Sequence, residues 1–360
     1  MTMSMSTSTV DPLLLETIEA MLADLCQPEK VGAAEGGLDP VLWKALTESG
    51  MSTVGVAESA GGSGGTLRDA AAIAKAAGRH AAPVPLTELS LIGGWVCEQA
   101  GLALPSGPVA VVIGDGTRTY WAPVAESFVV VTEAGVALVD GADATLGRAG
   151  VNYAGEPWAD VSVAGGTGPS SLVAGPSPAM VRARGALARS LLMAGALQQA
   201  AELSVQYCNE REQFGRPIGK FQVLQQYLAQ MAGEAAAAEA AADNAVDVVA
   251  ALAAAAGAGA ALGPAAAGEA IRIIAAAKTV TGRAVGTINR LAHQIHGAIG
   301  YTDEHRLQYT TRRLWSWRDE HGTEAEWAAT LGRSLAAAGG AALWTAITAW
   351  PPAATATATG

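Results

Sequence analysis

Arg211, Gln213 and Gln222 fall within one short stretch, Arg211-Glu-Gln-Phe-Gly-Arg-Pro-Ile-Gly-Lys-Phe-Gln222, punctuated by Gly215 and Pro217. An arginine fork matches a phosphate in both shape and charge, and a glutamine amide donates or accepts. Displayed around one bend, the three suit the pyrophosphate of a dinucleotide. They also suit a helix hairpin with a solvated polar corner, and residue types alone do not separate the two. A second candidate, Gly61-Gly-Ser-Gly-Gly65, lacks the Lys-Ser/Thr of a phosphate-binding P-loop and has no convincing strand before it, so it reads as a loop between helices.

The bend must be held by helices. Pro217 pushes Arg216 out of the α region, so the preceding helix should stop near Phe214 and the next should start near Lys220 or Phe221. From Ala179 onward the pattern predicts helices at 179–213, 221–256, 265–292, 303–318 and 323–338, which suggests an antiparallel bundle. The first hundred residues also read as helical. Asp11 is an N-cap followed by Pro12, and further helices are expected over 40–49, 67–78 and 86–101. Between these two parts the character changes. Val109–Ile113, Glu126–Thr132 and Val136–Val139 are β-branched and bounded by turns, as strands are, and this region ends near Val163. Gly165–Pro178 reads as a linker, and the Ala-Thr-rich end, 349–360, as a disordered tail.

Half of the 360 residues are hydrophobic and 15% are charged, which fits a globular chain able to bury a large core. A net charge of −11 argues against nucleic acid or an anionic membrane surface as partner. The most apolar run, Ala235–Leu262, is interrupted by Glu239, Asp243, Asn244 and Asp247 near one helical face, so no membrane span is expected. Cys26, Cys97 and Cys208 are odd in number and lack metal-ligand spacing. They read as buried free thiols in a reducing, cytoplasmic compartment, and no signal peptide is read at the start.

The run from Arg211 through Phe221-Gln222 to Leu228-Ala-Gln-Met231 closely resembles the acyl-CoA dehydrogenase family. So do Gln294-Ile-His-Gly-Ala-Ile-Gly-Tyr-Thr-Asp-Glu304 and, more weakly, Trp43-(x)2-Leu-(x)3-Gly50. The resemblance implies an α+β, mainly α fold: an N-terminal helical domain at 1–104, a shortened middle β domain at 105–170 and a C-terminal helix bundle at 171–348. It implies FAD as cofactor, an acyl-CoA as substrate and an acceptor such as an electron-transfer flavoprotein. The implied reaction is α,β-desaturation: a carboxylate removes the α proton of the thioester while flavin N5 takes the β hydride.

Three parts of the family's site can be sought. The clamp on the ADP half of FAD, which each subunit offers to its neighbour's flavin, is matched by Arg211, Gln213, Phe214 and Gln222 in the bend and by Gln294, Ile295, His296, Gly297 and Ala298 after it. The alternative for the second group is a simple helix-ending turn. The loop that cradles the flavin ring has no match, although Trp121 can stand for a family aromatic or simply pack in the interior. The catalytic glutamate has two family positions, and here they hold His321 and Gly185. Glu320 and His321 are candidate bases. The preferred reading of Asp319, Glu320, Glu324 and Glu326 is a solvated acidic face. An intact clamp beside a missing ring loop and base implies one subunit of a heteromer, lending its clamp to a second acyl-CoA dehydrogenase chain. The alternatives are a self-sufficient homo-oligomer with a rearranged base, or a non-redox protein on the same fold.

Overall fold

A computed structural model describes residues 10–163, 172–257, 259–341 and 344. The tail expected at 349–360 and the linker segment 165–171 lie outside the described residues. The N-terminal part is helical: α1 (Pro12–Leu25), α2 (Pro28–Ala33), α3 (Pro40–Glu48), α4 (Leu67–Arg79) and α5 (Gly94–Ala100). Asp11 and Asp39 cap α1 and α3 through their carboxylates, each followed by a proline whose missing N–H costs nothing at that position. Where one helix was expected over 86–101, a π-helical turn at Glu88–Gly93 leads into α5. That turn brings Glu88 into the interior.

The middle part holds two three-stranded sheets. One is ordered β1 (Val109–Ile113), β3 (Ser127–Thr132), β4 (Gly135–Asp140), with β1 and β3 parallel. The other is ordered β2 (Thr119–Tyr120), β6 (Pro157–Val163), β5 (Ala144–Val151) and is antiparallel. Alternate residues of β1 and β3 go to different cores. Ala110, Val112, Phe128 and Val130 meet Ala159 and Val161 of the second sheet, while Val109, Val111, Val129 and Val131 pack on α5 and the bundle. Both faces are covered, which explains the continuous apolar runs Val-Ala-Val-Val-Ile and Phe-Val-Val-Val. β2, β5 and β6 gave no such signal. β2 is two residues long, and β5 is interrupted by Gly147 and Gly150 and largely exposed.

The bundle consists of α6 (Pro178–Glu210), α7 (Gln222–Ala256), α8 (Pro264–His296), α9 (Arg306–Asp319) and α10 (Glu324–Ala338). α4 packs against α6 closely enough that a Cβ on Gly78 would meet the backbone of Leu192, and one on Gly195 would meet the backbone of Lys75. The acidic face read on α7 is partly paired across this junction: Lys75 bonds Asp243 at 2.9 Å and Arg68 bonds Asp247 at 2.6 Å. All three cysteines are free and buried. Among the described residues, no helix is long and apolar enough to cross a membrane.

α6 stops at Glu210, four residues before the expected end. The bend instead forms a two-stranded hairpin, β7 (Glu212–Gln213) and β8 (Arg216–Pro217). Phe214 (φ 52°) and Gly215 (φ 75°) make its turn, two successive left-handed residues as a tight hairpin requires. Pro217 sits on this two-stranded edge, where its missing N–H breaks no ladder.

Candidate functional site

The hairpin and the end of α8 enclose a cleft of about 560 Å3. Arg211, Gln213, Gln294, Ile295, His296, Gly297 and Ala298 line it together with Tyr207 and Phe221. Residues eighty positions apart in the chain thus share one wall. Phe214 and Gln222 are not in that wall. Phe214 is 91% exposed and meets Phe221 edge-on at 6.2 Å, and Gln222 is exposed at the first position of α7. Gly297 has φ 62° and ψ −139°, a conformation that favours glycine and ends α8 sharply. Ala298, where the family has a second glycine, has no positive φ, so its methyl group is tolerated.

His296 stacks on Tyr207 at 4.7 Å and hydrogen-bonds the Ala292 carbonyl at 2.8 Å through Nδ1. Burial holds its pKa below the usual imidazole range, and Nε2 is buried without a protein partner among the described residues. Arg211 is exposed, and its guanidinium has no acid within reach among the described residues. A cleft of small-ligand size with an exposed guanidinium and glutamine amides fits the ADP half of a dinucleotide.

The second place is the interior around Glu320 and His321. Glu320 is 3% exposed, so it does not lie on a solvated face. α9 ends at Asp319, and the positive φ values of His321 (53°) and Gly322 (104°) reverse the chain there. Glu320 is thereby turned inward, while Asp319 and Glu326 remain exposed. Glu320 accepts from Arg189 Nε at 2.5 Å and from Asn152 Nδ2 at 2.8 Å. Arg189, 1% exposed, also reaches Glu88 at 2.5 Å and Thr87 Oγ1 at 3.0 Å. Glu156 accepts from Trp317 Nε1 at 3.1 Å and lies 3.6 Å from Arg313. Three buried carboxylates are thus matched by two buried guanidinium groups and the Lys278 amine, which donates to the Trp317 carbonyl. Burial pushes the Glu320 carboxyl up to about 7, against the pull of Arg189.

His321 is flanked by Tyr120 at 5.3 Å, and its Nε2 is buried with no partner among the described residues. Burial first, then the charges of Arg189 and Lys278, hold its pKa well below the imidazole range, so the ring is neutral. A Cβ on Gly185 would run into this imidazole. The two positions marked as alternative sites for a base are therefore neighbours in space, and neither carries a carboxylate. The cavity bordered by Glu88, Arg189, Glu156, Trp121 and Trp317 measures about 10 Å3, room for about one water. Trp121 is 4% exposed and is packed into this wall.

Arg189, Glu88, Glu156, Asn152, Arg313 and Lys278 were not singled out from the sequence. One carried a signal, since Lys278 is the single cation in the helical run Ile273–Gly282. Two expected results follow from this interior. Gly185→Ala should overpack the imidazole and lower the urea unfolding free energy by about 1–3 kcal/mol. Lys278, fully buried, is pulled down to about 7 by burial. Between pH 7 and the ordinary lysine pKa the unfolded chain binds the extra proton, so stability should rise with pH across that window. From pH 7 to 9.5 the gain from this group is about 3 kcal/mol, and Lys278→Met should remove it from the pH dependence of the urea midpoint.

Residues 181–335 match the model of the acyl-CoA dehydrogenase C-terminal domain. The chain is 29% identical over 228 residues to the acyl-CoA dehydrogenase IpdE2 of Mycolicibacterium smegmatis, covering 61% of this chain and 71% of that protein. Its fold matches the ChsE4–ChsE5 complex from Mycobacterium tuberculosis with a TM-score of 0.77 at 20% identity, over 91% of this chain and 98% of the matched one. It also matches the Tcur3481–Tcur3483 steroid ACAD, with a TM-score of 0.73 at 21% identity, over 91% and 97% of the two chains. With the Arg211 bend and the Gln294 turn assembled into one cleft on this fold, residues 181–335 belong to the acyl-CoA dehydrogenase C-terminal domain family, and the chain as a whole is similar in sequence and fold to acyl-CoA dehydrogenases, oxidoreductases that act on CH–CH bonds.

Proposed function

We propose that this chain is one subunit of a hetero-oligomeric acyl-CoA dehydrogenase and that it holds the ADP half of a flavin whose ring and substrate belong to a partner subunit. The observation that carries this reading is a contrast within one molecule. The nucleotide cleft is open and its cation is unpaired among the described residues, whereas the two positions that would carry the base close on each other, His321 against Gly185, beside the buried Arg189–Glu320–Glu88 network. A bound FAD would supply the hydride acceptor. In this chain Arg211 would neutralise the diphosphate, and Gln213 and Gln294 would hydrogen-bond it or the adjoining ribose. The Gly297 turn would let the backbone approach.

Glu320 is engaged by two donors and His321 is held neutral and unpartnered, so neither is poised over a substrate. The base, the polarisation of the thioester and the acyl pocket are assigned to the partner, and an electron-transfer flavoprotein to reoxidation. Similarity to a two-component complex and to a two-component steroid ACAD supports the hetero-oligomer and a bulky acyl group. The test is purification of the chain alone and with a co-expressed second acyl-CoA dehydrogenase-type subunit. The pair should be yellow and should turn over an acyl-CoA with a dye acceptor, while the lone chain should do neither. Stoichiometric flavin and turnover in the lone chain would overturn the proposal.

A further inference from the structure

A separate cavity of about 540 Å3 opens on a different face of α6 from Gly185 and Arg189. Trp95 of α5, Met180 of α6, Val249 and Ala253 of α7 and Leu262 give it a largely apolar wall. Arg184 breaks that pattern. It is 6% exposed, its Nε donates to the Leu91 carbonyl at 2.9 Å, and its guanidinium lies over the Trp95 ring at 5.1 Å. Its two terminal nitrogens have no acceptor among the described residues. Burial pulls its pKa down to about 10, which Glu98 offsets only in part. Glu98 also lines the cavity but is only partly buried, and forms no ion pair with Arg184.

A largely buried guanidinium whose terminal donors have no protein acceptor among the described residues and line a cavity favours a ligand that accepts from them. A planar carboxylate matches that fork and restores the missing charge. The volume lies in the range of small-molecule sites, and the wall offers too few polar groups for a sugar or nucleotide. Glu98 disfavours a second negative charge on the ligand.

We propose that this cavity binds a compact apolar monocarboxylate, its carboxylate on Arg184 and its hydrocarbon against Trp95, Met180, Val249 and Ala253. The site is distinct from the nucleotide cleft and does not depend on the flavin reading.

Decanoate is the probe and decanol its neutral counterpart, each titrated calorimetrically into the full chain. Decanoate should bind saturably at one site per chain, and decanol about tenfold or more weakly. Arg184→Met should weaken decanoate to the level of decanol. Ala253→Trp, a substitution at an exposed position on the wall, should block the cavity and keeps the test open should Arg184→Met fail to fold. Arg211→Ala should leave decanoate binding unchanged, which separates this site from the clamp. No saturable binding, equal binding of decanol, or binding unaffected by Ala253→Trp would overturn the assignment.

Discussion

Arg189→Met is expected to destabilise the chain by about 3–5 kcal/mol, the cost of leaving buried carboxylates without their cation. Arg189 is the shared partner of Glu88 and Glu320, both about as inaccessible as the guanidinium itself. Its removal strands two carboxylates at once, and Asn152 alone cannot satisfy Glu320. With domain stabilities of roughly 5–15 kcal/mol, such a loss should be plain in urea melts followed by circular dichroism. The triple variant Arg189→Met, Glu88→Gln, Glu320→Gln should recover most of it, because neither carboxylate is then stranded and Lys278, pulled down to about 7 by burial, can shed the surplus proton. A single variant as stable as the parent would show that the network is not the interior's electrostatic keystone. It would also reopen Glu320 as a group free to take a proton.

The second large effect is on cofactor retention. Arg211→Ala combined with Gln294→Ala should cut flavin affinity of the co-expressed assembly at least about a hundredfold. Each substitution removes a hydrogen-bonding group, one of them charged, from the cleft wall. The expected preparation is colourless, with subunits still associated and melting near the parent temperature, since the Arg211 side chain is exposed and has no acceptor among the described residues to lose. Bound flavin is measured by absorbance after gel filtration. Undiminished yellow protein from the double variant would remove the clamp from the flavin and with it the subunit-lending proposal. A charge reversal, Arg211→Glu, should act still more strongly, because it sets a carboxylate against phosphate at close range.

How much was legible in the sequence follows from where each signal resides. The long helices of the bundle were read to within a few residues, because caps, prolines and unbroken helical runs are local. β1 and β3 were legible because both their faces are buried and their runs Val109–Ile113 and Phe128–Val131 are apolar at every position. β5 was not, since an exposed strand with two glycines carries neither alternation nor an apolar run. The bend at Arg211 was visible as a bend, but its form was not. The left-handed pair Phe214–Gly215 makes a hairpin where a residue-by-residue reading would let the helix continue.

The candidate site divides the same way. The cleft residues were found because each group is contiguous and distinctive: Arg211 with Gln213, and Gln294 through Ala298. The interior network was not found, because its members come from the π-helical turn, the β5–β6 turn, α6, α8 and α9, and meet only after folding. For Glu320 the local pattern points the wrong way. Among Asp319, Glu324 and Glu326 it looks like one more solvated acid, and only the reversal at His321–Gly322 turns it against Arg189.

The sequence by itself therefore determined the order of helices, strands and bundle, the family resemblance, and the contiguous groups that come to line one cleft, since all of these rest on local pattern and contiguous motif. Tertiary structure alone decided that the positions of a base are occupied by His321 and Gly185 in contact, and that Arg189 ties Glu320 to Glu88 in the interior. It also decided that Arg184 faces a largely apolar cavity with no ion-pair partner among the described residues. Pairing, burial and empty volume are properties of groups far apart in the chain, and they acquire values only when the chain has packed.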